Sequence, residues 1–196
     1  HLYIAMAGTH QIWRLDLESG WIEPFAGNGV ESIRDGQREN AWLAQPSGLA
    51  LADRVLYFAD SESSAIREVD LPPGMAVRTL VGTGLFDFGD VDGVGDSARL
   101  QHPIGVAVRG DILYVADSYN HKIKRLYPAE RRVESWLGDG EHGFEDGTLD
   151  EARFDEPSGL SIAGDRLFIA DTNNHAIRVA DLSSGETTTL SIRGLE

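Results

Sequence analysis

The sequence predicts an all-β protein made of repeated four-stranded antiparallel sheets, and three observations support that prediction. The chain repeats itself, with similar segments that start at residues 2, 56, 113 and 167. Its apolar runs are about five to seven residues long and rich in Val, Ile, Leu and Tyr, as strands are. Asp, Gly and Pro separate these runs at turn positions. Such a repeat is typical of a β-propeller, in which each sheet is a blade that buries its faces against its neighbours.

Each repeat is predicted to contain four strands. In the unit 46–82 they are the runs PSGLALA, VLYFAD, AIREVDL and VRTLVG. Two-residue turns at Gly110-Asp111 and Gly164-Asp165 are expected to join the first and second strands of later units into hairpins. The first strand of these units starts with Pro-x-Gly, and an Asp-Gly pair comes before it, with the aspartate at positions 35, 92 and 146.

The repeat boundaries predict one domain over residues 1–196, an incomplete propeller with blade parts 1–29, 44–84, 100–140 and 154–196. The first part begins at a second strand and the last ends near a fourth strand, so the chain holds about 3.75 blades, whereas propellers usually close with about four to eight. We therefore expect a segment of a longer protein with an open edge on each side. The alternative is a short chain that completes its ring by association.

Composition disfavours several classes of partner. The chain has 17 Lys and Arg against 32 Asp and Glu, a formal net charge of −15, so most of its surface should repel nucleic acid. It has no apolar run of about 18 residues, the length that would span a bilayer, and no membrane partner is expected. The absence of cysteine excludes disulfides and thiol chemistry within this chain. The compartment stays open, with a soluble, cytoplasmic protein favoured.

An aspartate closes the second strand of three repeats, and we expect it to be structural. Its carboxylate is expected to accept a backbone N–H two residues on, as an Asx-turn, while the asparagine three residues later takes a positive φ. The histidine that follows is expected to pack and bond locally, because a zinc site needs three or four ligands converging on one ion. No metal site is predicted. The expected structural turn residues are Asp60, Asp117, Asn120, His121, Asp171, Asn174 and His175.

Two segments, 105–126 and 159–182, resemble the NHL repeat, which is named for Asn-His-Leu. Asn120-His121 and Asn174-His175 stand where the Asn-His pair of that repeat does. The long unit looks most like the propeller of NHL proteins that also carry a thioredoxin-like domain. The resemblance implies a β-propeller, with a six-bladed ring in the parent protein. It implies no chemistry in this segment.

The loops that lead into the first strands are acidic. Residues 85–102 carry four acidic side chains and residues 141–156 carry seven, each with a single arginine. Antiparallel order places these loops on the same face as the turns that follow the second strands. We expect a negative face whose natural partner is a basic protein surface or a cation. The candidate binding residues on it are Asp92, Glu145, Asp146 and Asp150.

One of these loops partly resembles a calcium loop. Counted from Asp90, its first, third and sixth positions fit an EF-hand, but the fifth is valine and the twelfth is glutamine. Because Asp-Gly recurs in the other two loops, we interpret it as a turn element, with Asp92 and Asp146 paired to Arg99 and Arg153. No cofactor is predicted, and calcium in this loop is kept as an alternative.

Three residues that directly precede Pro-x-Gly are expected around the mouth of the central channel: Gln45, His102 and Glu156. They differ from one another, as an asymmetric binding site requires. Calcium-dependent lactonases and amidating lyases of similar fold use polar residues or histidines at that rim. A metal-dependent hydrolase or lyase acting at the channel mouth is therefore the alternative function.

The favoured function is a protein-interaction scaffold. A rigid propeller segment would present its acidic loop face to a protein partner or to a neighbouring domain of the parent chain. No catalytic residue is assigned, since the sequence shows no Ser-His-Asp, P-loop or Rossmann pattern. RNA binding, known for some NHL propellers, uses a basic face and is disfavoured by the charge.

Overall fold

The computed structural model describes residues 1–194, and its architecture is a series of four antiparallel sheets, numbered here as blades one to four. Blade one contains β1 (Leu2–Met6), β2 (Gln11–Leu15) and β3 (Ile22–Ala26). Blade two contains β4 (Gly36–Gln37), β5 (Pro46–Ala52), β6 (Val55–Asp60), β7 (Ala65–Asp70) and β8 (Ala76–Val81).

Blades three and four repeat the plan of blade two. Blade three contains β9 (Gly93–Val94), β10 (Pro103–Arg109), β11 (Ile112–Asp117), β12 (Lys122–Tyr127) and β13 (Arg132–Leu137). Blade four contains β14 (Gly147–Thr148), β15 (Pro157–Ala163), β16 (Arg166–Asp171), β17 (Ala176–Asp181) and β18 (Glu186–Thr189). One-turn 3-10 helices lie at Ala7–Thr9, Ser61–Ser63, Gly95–Ser97, Ser118–Asn120 and Leu149–Glu151.

The predicted four-strand meander is confirmed, and one element was not expected. In blades two to four a two-residue strand (β4, β9 or β14), formed at the Asp-Gly pair, runs antiparallel beside the outermost strand. The predicted hairpin turns are present, since Arg109 pairs with Ile112 and Ala163 pairs with Arg166. The strand order of blades two to four is therefore a simple meander with one returning edge segment.

The apolar core lies between successive blades. Buried residues of blade two, such as Ile66, pack with Val106 and Leu113 of blade three, and Trp136 of blade three packs with Leu167 of blade four. A third cluster joins blades one and two. Sheets that bury their faces against their neighbours in this way form a β-propeller. Closure into six blades stays a prediction.

The innermost strands approach so closely that glycine is required. A Cβ built on Gly105 would lie 1.9 Å from the carbonyl oxygen of Ser158 in the next blade, and one on Gly48 would lie 2.5 Å from that of Ile104. The backbone of each neighbour thus occupies the space where a side chain would begin. Gly159, the matching residue of blade four, meets nothing nearer than Ala170 Cβ at 3.6 Å.

Helices play a small part in this structure. Within residues 1–194, none has the length and hydrophobicity that a membrane crossing would require.

Candidate functional site

The loops that enter the innermost strands lie against the turns that follow the second strands. Tyr119 N–H donates to Gln101 O at 3.2 Å, and Asn173 N–H donates to Asp155 O at 3.1 Å. We call the resulting surface the loop face, formed by loops 27–45, 82–102 and 138–156 with turns 61–64, 118–121 and 172–175. Antiparallel order alone predicts this arrangement.

A buried carboxylate ties each turn to its loop. Asp60, Asp117 and Asp171 have no exposed surface. Each accepts a hydrogen bond from the backbone N–H of the residue 16 positions earlier, at 2.7, 2.7 and 2.8 Å respectively. The predicted Asx-turn is therefore wrong. The Oδ1 atom accepts the backbone N–H of the loop instead, because a buried N–H needs an acceptor.

The asparagines of the turns also act differently from the prediction. The positive φ falls on His121 (53°) and His175 (52°), one residue after each asparagine. Asn120 Nδ2 donates to Asp117 Oδ2 and to Gly89 O, both at 2.8 Å, and Asn174 repeats this arrangement with Asp171 and Gly143. The amide is thus a bridge between turn and loop.

A buried cation completes each cluster, and the sequence reasoning missed it. The cations are fully buried and lie seven residues after each aspartate: Arg67, Lys124 and Arg178. The Asp60–Arg67 and Asp171–Arg178 ion pairs measure 2.9 and 2.8 Å, whereas Lys124 Nζ lies 3.7 Å from Asp117. The signal that could have revealed them is a basic residue at the same position of three aligned repeats.

The same cations hold the aspartates of the Asp-Gly pairs. Lys124 lies 3.1 Å from Asp92, and Arg178 lies 2.8 Å from Asp146. The predicted pairing of these aspartates with Arg99 and Arg153 is wrong, because those arginines bind Asp87 at 2.5 Å and Asp139 at 2.7 Å instead. Asp92 and Asp146 are therefore parts of the internal clusters, even though their side chains are partly exposed.

Burial dominates the electrostatics of the third blade. It raises the pKa of Asp117 to about 7, and the opposing effect of Lys124 is weaker. Burial also raises the pKa of Asp60, against the effect of Arg67. Burial tends to lower the pKa of Lys124, but the carboxylates of Asp117, Asp90 and Asp92 outweigh it, so that this pKa is raised.

A carboxyl group whose folded pKa lies above its unfolded value stabilises the fold at low pH, and that contribution is lost as the pH rises through the folded pKa. We expect the unfolding free energy of the wild type, measured relative to Asp117→Asn in urea, to fall by about 1–3 kcal/mol between pH 5 and 8. Asp111→Asn, an exposed substitution, is the control and should follow the wild type. If the difference in unfolding free energy between wild type and Asp117→Asn did not change with pH, the raised pKa of Asp117 would be contradicted.

The last turn residue bonds to the next blade. Ser64 Oγ accepts the N–H of His102 at 3.2 Å, and His121 Nδ1 accepts the N–H of Glu156 at 3.2 Å. The local bonding predicted for His121 is thus corrected to a contact between blades. His175 is exposed on the face of blade four that points away from blade three.

The three predicted rim residues occupy equivalent sites at the starts of the inner strands. Gln45, His102 and Glu156 are half-buried and have positive φ values of 61°, 50° and 48°. Within the described residues they do not hydrogen-bond to one another. The concave space between the inner strands, about 410 Å³, is lined instead by small and apolar residues, which include Ala5, Gly48, Leu49, Ile104, Val106 and Leu160.

The acidic side chains that remain available on the loop face differ from the predicted set. Glu145 and Asp150 are exposed, and in the part of the chain that the structure describes no cation pairs with either carboxylate. Nowhere in residues 1–194 do three or more His, Asp or Glu side chains gather closely enough to hold a metal ion.

Comparison with known proteins places this geometry in context. A family model described as NHL repeat matches residues 100–126 and 154–180. The chain is 46% identical over 209 residues to Protein SUPPRESSOR OF QUENCHING 1, chloroplastic, of Arabidopsis thaliana, a match that covers 100% of the chain and 20% of that protein. It is 46% identical over 217 residues to NHL repeat-containing protein 2 of Homo sapiens, covering 97% of the chain and 30% of the relative. The chain spans less than a third of either.

Solved structures share the fold. An auxiliary nutrient binding protein from Bacteroides thetaiotaomicron superimposes with a TM-score of 0.74 at 22% identity, over 96% of this chain and 45% of that one. Virginiamycin B lyase from Staphylococcus aureus superimposes with a TM-score of 0.58 at 15% identity, over 98% and 52% of the two chains. At such identities the likeness concerns the fold alone.

Proposed function

Because this chain carries NHL repeats in a β-propeller fold, we propose that it is a protein-interaction scaffold. Its loop face would dock a protein partner or a neighbouring domain of the parent chain. The observation that carries the proposal is the pair Glu145 and Asp150, two exposed carboxylates that form no ion pair within the described residues. Arg153 lies near Glu145, but its ion pair is with Asp139. Unpaired surface charge of one sign steers a partner of the opposite sign and sets its orientation.

The internal clusters support this role by keeping the surface rigid. Each loop is fixed at its Asp-Gly pair by a buried cation and at its end by a buried aspartate, as for Asp146 and Asp171 around Arg178. A surface that is already ordered loses little conformational entropy when it binds. The formal net charge of −15 favours a basic protein over nucleic acid as the partner.

The alternative function, a metal-dependent hydrolase or lyase at the channel mouth, has less support. The space between the inner strands is lined by small and apolar residues. The names of the two relatives that are 46% identical favour neither a hydrolase nor a lyase. We propose that the scaffold needs no cofactor. Calcium in the 90–96 loop is disfavoured because Lys122 and Lys124 already neutralise Asp90, and Lys124 also neutralises Asp92.

Charge reversal tests the scaffold. We expect Glu145→Lys/Asp150→Lys to lose at least about tenfold in the amount of partner captured from the native cell extract, as should wild type in high salt. Asp146 is left unchanged because it belongs to an internal ion pair. The matched control is Glu18→Lys/Asp111→Lys, the same charge change at exposed positions on the opposite side of the blades.

The measurement is quantitative mass spectrometry of captured proteins, with and without EDTA. We expect the control to capture the partner as wild type does and the loop-face variant to lose this capture. EDTA should leave the capture by wild type unchanged. Equal capture by wild type and loop-face variant would contradict the scaffold, and capture that needs calcium would contradict the absence of a cofactor.

The open edge of blade four supports a second mode of association, with a further blade as its occupant. Ser61 Oγ donates to Pro103 O at 2.7 Å and Ser118 Oγ donates to Pro157 O at 2.6 Å, each across a blade interface. Thr172 stands at the matching position, and within the described residues its hydroxyl bonds inside its own blade, to Ser158 Oγ at 2.7 Å and to Ala170 O at 3.5 Å. A further blade that starts with Pro-x-Gly would offer a proline carbonyl to the Thr172 hydroxyl, as Pro103 and Pro157 do for Ser61 and Ser118. Its inner strand would also approach Gly159 as closely as that of blade four approaches Gly105.

A further inference from the structure

Blade three presents an aromatic patch on the loop face that is larger than that of the other described blades, among which blade four exposes Phe144. The patch is defined by Phe86, Phe88, Tyr119 and His102. The side chains of Phe86, Phe88 and Tyr119 are 89%, 55% and 47% exposed. Several large apolar side chains exposed on the same part of a folded surface often mark an interaction site, whereas single exposed ones are common and need no explanation.

Hydrogen bonds join the backbone segments that carry these residues. Asn120 Nδ2 donates to Gly89 O at 2.8 Å. Tyr119 directly precedes Asn120, and Phe88 directly precedes Gly89. Gly89 N–H donates to Leu100 O at 3.0 Å, and Tyr119 N–H donates to Gln101 O at 3.2 Å. The ring of His102 stacks on that of Tyr119, with centroids 4.6 Å apart and planes inclined by 15°.

The patch is asymmetric among otherwise equivalent positions. Alignment on the Asp-Gly and Pro-x-Gly elements matches Phe88, Tyr119 and His102 of blade three with residues other than phenylalanine or tyrosine in its neighbours. The matched residues are Glu31, Glu62 and Gln45 in blade two, and His142, Asn173 and Glu156 in blade four. A structural requirement of the fold would have kept one residue type in all three blades, so the aromatic set belongs to this blade alone.

The loop that carries the patch is two residues longer than its counterparts, and the insertion is Leu85-Phe86. The loop is nevertheless fixed. Arg99 Nε donates to Asp87 Oδ1 at 2.5 Å, and Thr83 also donates to Asp87. The chain therefore holds Phe86 in water on an ordered support, an arrangement that costs hydrophobic free energy and is relieved when a partner covers the ring.

Acidic residues flank the patch on both sides. Glu62 lies two residues from Ser64, whose hydroxyl contacts His102. Glu156 donates its N–H to His121, two residues from Tyr119. An aromatic centre with an acidic border complements a cationic side chain whose planar group can stack, and guanidinium fits better than ammonium because it is more weakly hydrated and stacks on rings.

We propose that this aromatic patch binds an arginine-bearing segment of a protein partner, with the guanidinium stacked against Phe88 and Tyr119 and flanked by the carboxylates of Glu62 and Glu156. Phe86 covers the apolar part of the same segment, and His102 positions the Tyr119 ring. The proposal rests on the scaffold function and specifies the chemistry of its partner. Aromatic residues surrounded by a polar rim are the usual anatomy of such a contact.

The test uses two synthetic peptides that differ only in their cations, acetyl-Gly-Arg-Gly-Arg-Gly-Arg-Gly-amide and its lysine counterpart. Each is titrated into the full chain, and NMR shifts report the site and the Kd. We expect the arginine peptide to bind at least about threefold more tightly and to shift the patch resonances. Phe86→Ala/Phe88→Ala/Tyr119→Ala should weaken the arginine peptide by at least about fivefold and remove its advantage over lysine.

Trp21→Ala is the matched control, because Trp21 is 68% exposed and lies in a turn on the opposite side of the blades. It should leave both affinities unchanged. Because the three patch substitutions are at exposed positions, an unchanged spectrum elsewhere verifies that the variant is folded.

Three outcomes would overturn the proposal. The first is equal affinity for the two peptides, and the second is NMR shifts confined to residues outside the patch. The third is NMR shifts of the patch residues that a neutral oligosaccharide such as maltohexaose causes but the arginine peptide does not. If charge reversal at Glu145 and Asp150 abolishes capture of protein partners while the aromatic variant binds like wild type, the scaffold stands and the arginine site fails. If the peptide result holds and capture does not depend on the loop face, the scaffold fails separately.

Discussion

Arg178→Met is expected to lower the free energy of unfolding by about 3–5 kcal/mol, the usual cost of removing one partner from a buried ion pair. Arg178 is fully buried between Asp171, which is also fully buried, and Asp146. Its Nη1 also donates to Arg153 O at 2.8 Å. Methionine keeps the aliphatic part of the side chain but removes the guanidinium, which leaves the Asp171 carboxylate without a counter-charge. Urea unfolding at neutral pH measures the loss.

Arg166→Met is the matched control for this substitution. Arg166 lies in the same blade on an exposed position, and its replacement should change stability by no more than about 0.5 kcal/mol. Arg178→Lys should fall between the two, because Lys124 occupies the matching site of blade three at a longer 3.7 Å from its aspartate. A loss below about 1 kcal/mol for Arg178→Met would show that the cluster does not depend on its cation.

Gly105→Ala is expected to cost about 3 kcal/mol, the upper end of the range for overpacking. Its Cβ would lie 1.9 Å from the Ser158 carbonyl oxygen, and a backbone atom cannot move aside as a flexible side chain can. The inner strands of blades three and four must therefore separate. Urea unfolding gives the total cost, and hydrogen exchange should show lost protection where β10 meets β15.

Gly159→Ala is the control at the matching position of the next blade. Its Cβ would meet only Ala170 Cβ at 3.6 Å, so the substitution should be neutral or stabilise by up to about 1 kcal/mol. Equal costs for the two variants would contradict the close approach of the inner strands. In a longer chain with a further blade seated on blade four, Gly159→Ala should become as costly as Gly105→Ala, and a neutral result there would contradict the proposed blade association.

These expectations separate two kinds of acidic residue that are indistinguishable in the sequence. Asp92 and Asp146 are bound to buried cations, so their replacement would change the fold before it changed any interaction. Glu145 and Asp150 have no such partner in the described structure, so their replacement reports on binding. A mutational test of the scaffold that mixed the two groups could not be interpreted.

The four long strands of a blade, the hairpin turns and the blade repeat could be predicted from the sequence. Each depends on local patterns, such as the apolar run that became β6 and the Gly110-Asp111 turn that joins β10 to β11. The periodicity of side chains along a strand and the φ preference of a turn residue act over a few positions, and they can therefore be read without coordinates.

The partners of the buried charges and the contacts between blades depend on how the sheets pack, and they could not be predicted from the sequence. The bond from Ala44 N–H to Asp60, the Arg178–Asp146 pair and the contact of His121 with Glu156 join residues 16, 32 and 35 positions apart. Similarly, the two-residue strand β9 has no periodicity of its own and exists because β13 offers it an unpaired edge. Buried polar groups take whichever partner the packed backbone brings within reach, and that choice is made only when the sheets assemble.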